Sequence, residues 1–154
     1  MYKEIETAFD PDQTDLSAEE LDRLKQKVWA ECLKHRQVYV YKLVALTPGP
    51  RPNFGGISST GAPCPFVTVL PGQVVKYGIT MNRSRRYTRS FYQTHDVIME
   101  LLPEGCDKTS DECGMTAWEA VSLEKIYLFQ YRILPERHKP ECSLIFPPLN
   151  TNAG

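Results

Sequence analysis

The sequence predicts an α+β fold: a small antiparallel β-sheet flanked by helices, with an extra N-terminal helix and a long loop between two strands. Three observations carry this. Two short runs, over residues 38–46 and 73–80, alternate with the period of two that a strand imposes on its side chains. Two longer segments, over residues 18–35 and 117–133, repeat apolar side chains at helical spacing behind capping-box starts. Between the strands lies TPGPRPNFGGISSTGAPCPFVTVLPG, residues 47–72, too rich in proline and glycine to continue either period.

Residues 1–16 are polar, contain Pro11 and show no periodicity. Ser17 and Glu20 then stand three apart, so each side chain can satisfy an orphan amide of a helix start. Leu21, Leu24, Val28 and Leu33 form that helix's apolar stripe, and its outer face is charged. Residues 1–36 are therefore expected to be a lead-in and an accessory helix on a main domain of residues 37–154. In the first strand Tyr39, Tyr41 and Leu43 share one face, and Val38, Val40 and Val44 the other. Phe66 to Leu70 is expected to add a short strand within an otherwise irregular excursion. In the strand over 73–80, Val75, Tyr77 and Ile79 point one way, and Val74, Lys76, Gly78 and Thr80 the other. Ser84 is placed to cap a helix over roughly 84–92. Residues 95–102 read as a third strand ended by Pro103, and 103–115 as a polar loop. Thr116 and Glu119 open the helix over 117–133, which Pro135 stops. The proline-bearing tail from 136 is expected to be mostly extended.

A chain of 154 residues, 42% apolar and 24% charged, suits one domain with a single core. No apolar run approaches the ~18 residues expected of a membrane helix. The acidic N-terminus is unlike a signal peptide, and a module of a larger exported protein would carry none of its own. The net charge of −1 weighs against a dedicated nucleic-acid binder. Its distribution softens that, because residues 4–31 are acid-rich while Arg83, Arg85, Arg86 and Arg89 fall within seven residues. The five cysteines, Cys32, Cys64, Cys106, Cys113 and Cys142, form no C-x-x-C pair, so a zinc ribbon is not expected. Free thiols of a reducing compartment are the expectation, with a Cys106–Cys113 disulfide as the alternative.

Chemistry concentrates in few residues. Glu124 falls on the buried stripe Ala117, Val121, Glu124, Leu128, Tyr131, where a carboxylate needs an ion pair, a route to solvent or a metal. Lys76, flanked by Val74, Val75 and Tyr77, must snorkel or find an anion. Gly78 follows on the same face and leaves room for a close approach. Arg86, just past the expected helix cap, is placed to grip a phosphate, or else sits in a solvated basic turn. Tyr39 and Tyr41 taken singly read as core.

As an ordered set these residues resemble the GIY-YIG nuclease superfamily. Its members carry a tyrosine on a first strand, a tyrosine-x-glycine on the adjacent strand, an arginine about eight residues later and a metal-binding glutamate on a later helix. Here Arg86 follows Gly78 by eight residues and Glu124 follows Arg86 by 38. VYKLV resembles the first strand, which favours Tyr41 over Tyr39 as the family tyrosine. VVKYGIT resembles the second strand, and PPLN resembles the Pro-Pro-x-Asn that often ends the module. Lys76 stands where the second tyrosine usually stands, as in some lineages of the superfamily, with Tyr77 expected to face the other way. Ser90 occupies a site often held by His or Tyr, for which His95 is a possible substitute.

The resemblance implies hydrolysis of a phosphodiester in DNA. Glu124 would hold one Mg²⁺ or Mn²⁺. Tyr41, helped by Lys76 and with Tyr39 as the second candidate, would take a proton from water, and Arg86 would brace the phosphate. Gly78, Thr80, Arg83, Arg85 and Arg89 would line the substrate path, and Asn150 would support the site. The style of the second strand resembles toxin domains of bacterial secreted effectors, which act in the target-cell cytoplasm and are held by a cognate immunity protein. The alternatives are a restriction or repair endonuclease, and an inactive nucleic-acid- or protein-binding module in which Lys76, Arg86 and Glu124 form a buried ion-pair network. An ADP-ribosyltransferase-like toxin fits less well, because it would need an NAD pocket and residues 78–86 offer no clear arginine-strand or Ser-Thr-Ser pattern for one.

Overall fold

The protein, described here by a computed structural model, is α+β, with a small antiparallel sheet and, among the described residues, three α-helices. The structure describes residues 17–34, 37–106 and 113–151; the polar lead-in and most of the Cys106–Cys113 loop lie outside them. Helix α1 spans Ala18–Lys34, with Ser17 Oγ accepting from the Glu20 amide. Strands follow at Tyr39–Ala45 (β1), Gly49–Pro52 (β2), Phe66–Val69 (β3) and Val74–Thr80 (β4). Helix α2 is Arg89–His95, β5 is Val97–Leu102 and α3 is Ala117–Tyr131, closed by a 3₁₀ turn at Pro135–Arg137.

The main sheet has the order β4-β1-β5, all antiparallel. β1 is central because it is apolar on both faces: only Lys42 escapes full burial, beside Glu100 on β5 at 3.7 Å. Tyr41 pairs with Gly78 and Leu101, and Leu43 with Lys76 and Met99, which sets one face of the sheet. That face is packed by Tyr41, Leu43, Met99 and Leu101, all essentially enclosed. α3 packs against β4 and β1 and also meets α1, while α2 packs against β5. No helix among the described residues is long and apolar enough to cross a membrane.

Helix and strand bounds, the excursion and the cysteines each depart from expectation. The helix foreseen over 84–92 starts at Arg89, capped by Thr88 Oγ1, which accepts from the Phe91 amide at 3.1 Å. Ser84 instead donates to Asn82 Oδ1, which also accepts from the Arg85 amide, both at 3.1 Å. This side-chain turn satisfies locally the amides that a helix start would have used. His95, expected in the third strand, ends α2, and Asp96 turns the chain at φ 50° before β5. α3 likewise ends at Tyr131, two residues early.

The second correction concerns the excursion over 47–72, which holds a hairpin of β2 and β3. β3 falls where expected. β2, Gly-Pro-Arg-Pro, has no strand-like composition, and its two prolines are tolerable because it pairs on one side only. Its buried Arg51 locks the hairpin to the end of α2, donating from Nε to the His95 carbonyl at 2.7 Å and from Nη2 to the Thr47 carbonyl at 3.0 Å.

Third, four cysteines are not free thiols. Cys64 bonds Cys142 across 78 positions, and Cys106 bonds Cys113. The first joins the excursion to the C-terminal tail. Glu141 reinforces it by accepting from the amide and hydroxyl of Thr68 on β3.

Candidate active site

β1 and β4 bring Tyr41 and Gly78 face to face, and the tyrosine ring lies directly across the glycine. A Cβ at position 78 would overlap Tyr41 Oη, Cζ and Cε1, so the ring occupies the volume that the missing side chain leaves. The chain then leaves β4 through the Asn82 turn and returns Arg86 and Tyr87 over the same spot. Tyr87 Oη meets Tyr41 Oη at 2.5 Å, with the rings edge to face. Lys76 Nζ lies 5.7 Å and Arg86 Cζ 4.7 Å from the Tyr87 ring centroid. Both distances suit attraction of a cation to an aromatic face. Phe91 of α2 stacks on Tyr87 at 4.2 Å and holds the ring in place.

The electrostatics follow from this packing. Burial pushes the Tyr41 phenol well above its ordinary value, the Tyr87 oxygen pushes it the same way, and the Arg86 guanidinium pulls it back. Neither Lys76 nor Arg86 forms an ion pair with a carboxylate among the described residues. Two cations beside a phenol pair, with no ion-paired carboxylate among the described residues, make a place where an anion gains from both.

The remaining sequence-predicted residues lie at different distances from this cluster. Arg83 sits over the ring of Tyr39 at 4.6 Å, so these two form a neighbouring pair at the far end of β1. Thr80, opposite Tyr39, is buried and accepts from the Asn82 amide through Oγ1 at 3.0 Å, which makes it a support of the turn. Arg85 and Arg89 are exposed on the β4–α2 segment. Ser90 is exposed, and His95 touches Phe91 and Phe54. Burial and the nearby Arg51 hold the His95 imidazole below its usual range.

Tyr77 faces away from Lys76 and stacks on Tyr127 of α3 at 5.5 Å, with the Tyr127 hydroxyl donating to Glu104 at 2.9 Å. Glu124 lies one turn before Tyr127, 6% exposed, in the middle of the α3 stripe Ala117, Val121, Glu124, Leu128, Tyr131. At Tyr127 the helix thus meets the sheet from the Tyr77 side, whereas Tyr41, Lys76 and Gly78 occupy the other face. The structure brings Tyr41, Lys76, Gly78 and Arg86 together; it carries Glu124 to the sheet on a separate element.

Asn150 is buried, and its carboxamide accepts from the Tyr77 amide and donates to the Tyr77 carbonyl, each at 3.0 Å. It acts as one residue of a missing neighbour strand and fixes the backbone between Lys76 and Gly78. Asn150→Ala leaves two buried backbone groups unpaired, at about 1–3 kcal/mol each when no water replaces the amide. A loss of about 2–4 kcal/mol is expected in urea unfolding, and an unchanged midpoint would show that the carboxamide is dispensable.

Tyr87 was not singled out from the sequence. A faint signal exists in the aromatic pair Tyr87 and Phe91, four apart, but no local pattern connects position 87 with position 41. A cavity of about 130 Å³ between the excursion and the tail is lined by Asn53, Ile57, Leu144, Phe146 and Asn150 among others; it contains no titratable side chain, and Asn150 alone links it to the cluster. The chain matches no protein-family model, no curated protein and no solved structure.

Proposed function

We propose that the protein is a metal-dependent endonuclease of the GIY-YIG type, hydrolysing phosphodiester bonds in DNA. One observation carries the reading: Lys76 and Arg86 both lie over the ring of Tyr87, whose hydroxyl meets Tyr41 over Gly78, with no ion pair to a carboxylate among the described residues. Such a cluster suits a phosphodiester anion, which Arg86 would brace while a phenol handles the proton of the attacking water. The exposed Arg85 and Arg89 on the following segment extend positive charge along the path of a nucleic-acid backbone.

Glu124 is the residue proposed to hold one Mg²⁺ or Mn²⁺. No group of three His, Cys, Asp or Glu side chains forms a ready cage among the described residues. A single buried carboxylate fits Mg²⁺, which keeps waters and commonly uses one or two carboxylates with substrate phosphates. When bound, the ion would stabilise the charge developing on the leaving oxygen of a substrate that passes around the edge strand β4, since the Glu124 helix meets the sheet on the Tyr77 side and Arg86 lies over the other. The two disulfides suit a module that passes through an oxidising compartment, in keeping with a secreted toxin of interbacterial competition. The excursion exposes Phe54, Ile57, Phe66 and Leu70 by 46–59%, apolar surface of the kind that a protein partner such as an immunity protein covers.

Incubation with supercoiled plasmid and Mg²⁺ is expected to give nicked and linear DNA, and EDTA to prevent it. Glu124→Ala should lower the rate by at least about 10³-fold while the protein stays folded, since a catalytic metal contributes several kcal/mol. Metal-dependent cleavage that survives in folded Glu124→Ala would move the ion to other ligands. No cleavage of DNA or RNA by the wild type would leave a binding module on this scaffold.

A further inference from the structure

We propose that Tyr87 is the residue that meets the reacting water, and that Tyr41 is a positioning residue behind it. The proposal rests on the nuclease reading and changes the residue assigned to the proton. Tyr41 has no exposed surface. Its ring is laid across Gly78, and its hydroxyl is taken up by Tyr87 Oη at 2.5 Å. A phenol enclosed in this way has no open side on which a water and a phosphodiester can both sit.

Tyr87 has what Tyr41 lacks. It is half-buried, on the same turn as Arg86, and its ring is flanked by Arg86 and Lys76. Stacking on Phe91 and an edge contact with Tyr92 at 5.9 Å fix the ring's direction. An anion bound between Lys76 and Arg86 would therefore lie beside Tyr87. Either hydroxyl can donate in the Tyr41–Tyr87 hydrogen bond; with Tyr41 as the donor, it aligns the Tyr87 oxygen and steadies negative charge on it.

In the step, Tyr87 reacts as the phenolate. Its oxygen takes one proton from the water, and the water oxygen forms the new bond to phosphorus. The bond from phosphorus to the leaving sugar oxygen breaks, and that oxygen keeps the electron pair and takes a proton from solvent. Tyr87 then returns its proton to solvent. No electron is transferred.

The test is plasmid cleavage in Mg²⁺ by the wild type, Tyr87→Phe, Tyr41→Phe and Glu124→Ala, with kcat and KM separated. Tyr87→Phe keeps the stack on Phe91 and is expected to lose at least about 100-fold in kcat with little change in KM, the scale of a lost general base. Tyr41→Phe is expected to lose only about tenfold, as a hydrogen bond of about 1.4 kcal/mol would. As a second measurement, 3-fluorotyrosine at position 87, a more acidic phenol of nearly the same size, should move the pH–rate profile to lower pH, and at position 41 should not. This variant carries the test if Tyr87→Phe does not fold. Cleavage near the wild-type rate by Tyr87→Phe, or a profile that moves only with position 41, overturns the proposal and leaves the nuclease reading standing. A wild type that cuts nothing removes both.

Discussion

Gly78→Ala is expected to lower stability by about 3 kcal/mol and to abolish cleavage. The added methyl would overlap the Tyr41 ring and hydroxyl, and neither side can yield easily. The β4 backbone is paired to β1 on one side and clamped through Tyr77 by Asn150 on the other. Tyr41 is enclosed and held at its tip by Tyr87. Overpacking of a filled core typically costs about 1–3 kcal/mol, and a site braced on both sides belongs at the upper end. At about 2–4 °C per kcal/mol for a chain of this size, the melting temperature should fall by about 6–12 °C. A double-mutant cycle isolates the cause. In a Tyr41→Leu background the same alanine should cost less than about 1 kcal/mol, because the overlapping ring tip is gone. Equal costs in both backgrounds would show that position 78 is constrained by something other than Tyr41.

Loss of the Cys64–Cys142 bridge is expected to be the largest single stability effect in the molecule. The bond closes a loop of 78 positions, and cross-linking so long a segment restricts the unfolded chain by about 4 kcal/mol on the loop-entropy account. The Cys106–Cys113 bridge spans 7 positions and should contribute about half as much. Urea unfolding of Cys64→Ser/Cys142→Ser and of Cys106→Ser/Cys113→Ser measures each separately, and the first should show the larger fall in midpoint. There is a functional side as well. The segment that follows this bridge carries Asn150, which holds the backbone between Lys76 and Gly78, so the Cys64–Cys142 variant should also lose activity at temperatures where it remains folded. An unchanged midpoint in the Cys64–Cys142 variant would mean that the hairpin and tail are held by Glu141 and Arg51 without the bond.

The architecture was legible where the determinants are local. β1 and β4 declared themselves through alternation, and α3 through Thr116 and Glu119, whose reciprocal capping bonds are present. Glu124 could be placed on a buried helical stripe for the same reason. Helix α2 was misplaced because two capping side chains, Asn82 and Thr88, compete over a short segment, and Ser84 resembles a third. β2 was not visible, since Gly-Pro-Arg-Pro becomes a strand only by pairing with β3. The expectation of free thiols failed because cysteine spacing along a chain says nothing about which cysteines meet in space.

By itself the sequence determined the α+β class, the two alternating strands and the opposed faces of Lys76 and Tyr77. Each follows from a period of two or of 3.6. Tertiary structure alone decided that Tyr87 closes over Tyr41 from 46 positions away, that Asn150 completes β4 from 73, and that Cys64 finds Cys142 from 78. These contacts have no local signature. They form because the β4–α2 turn, the hairpin and the tail are all folded back onto the same small sheet, whose short strands leave edges and one glycine for them to fill.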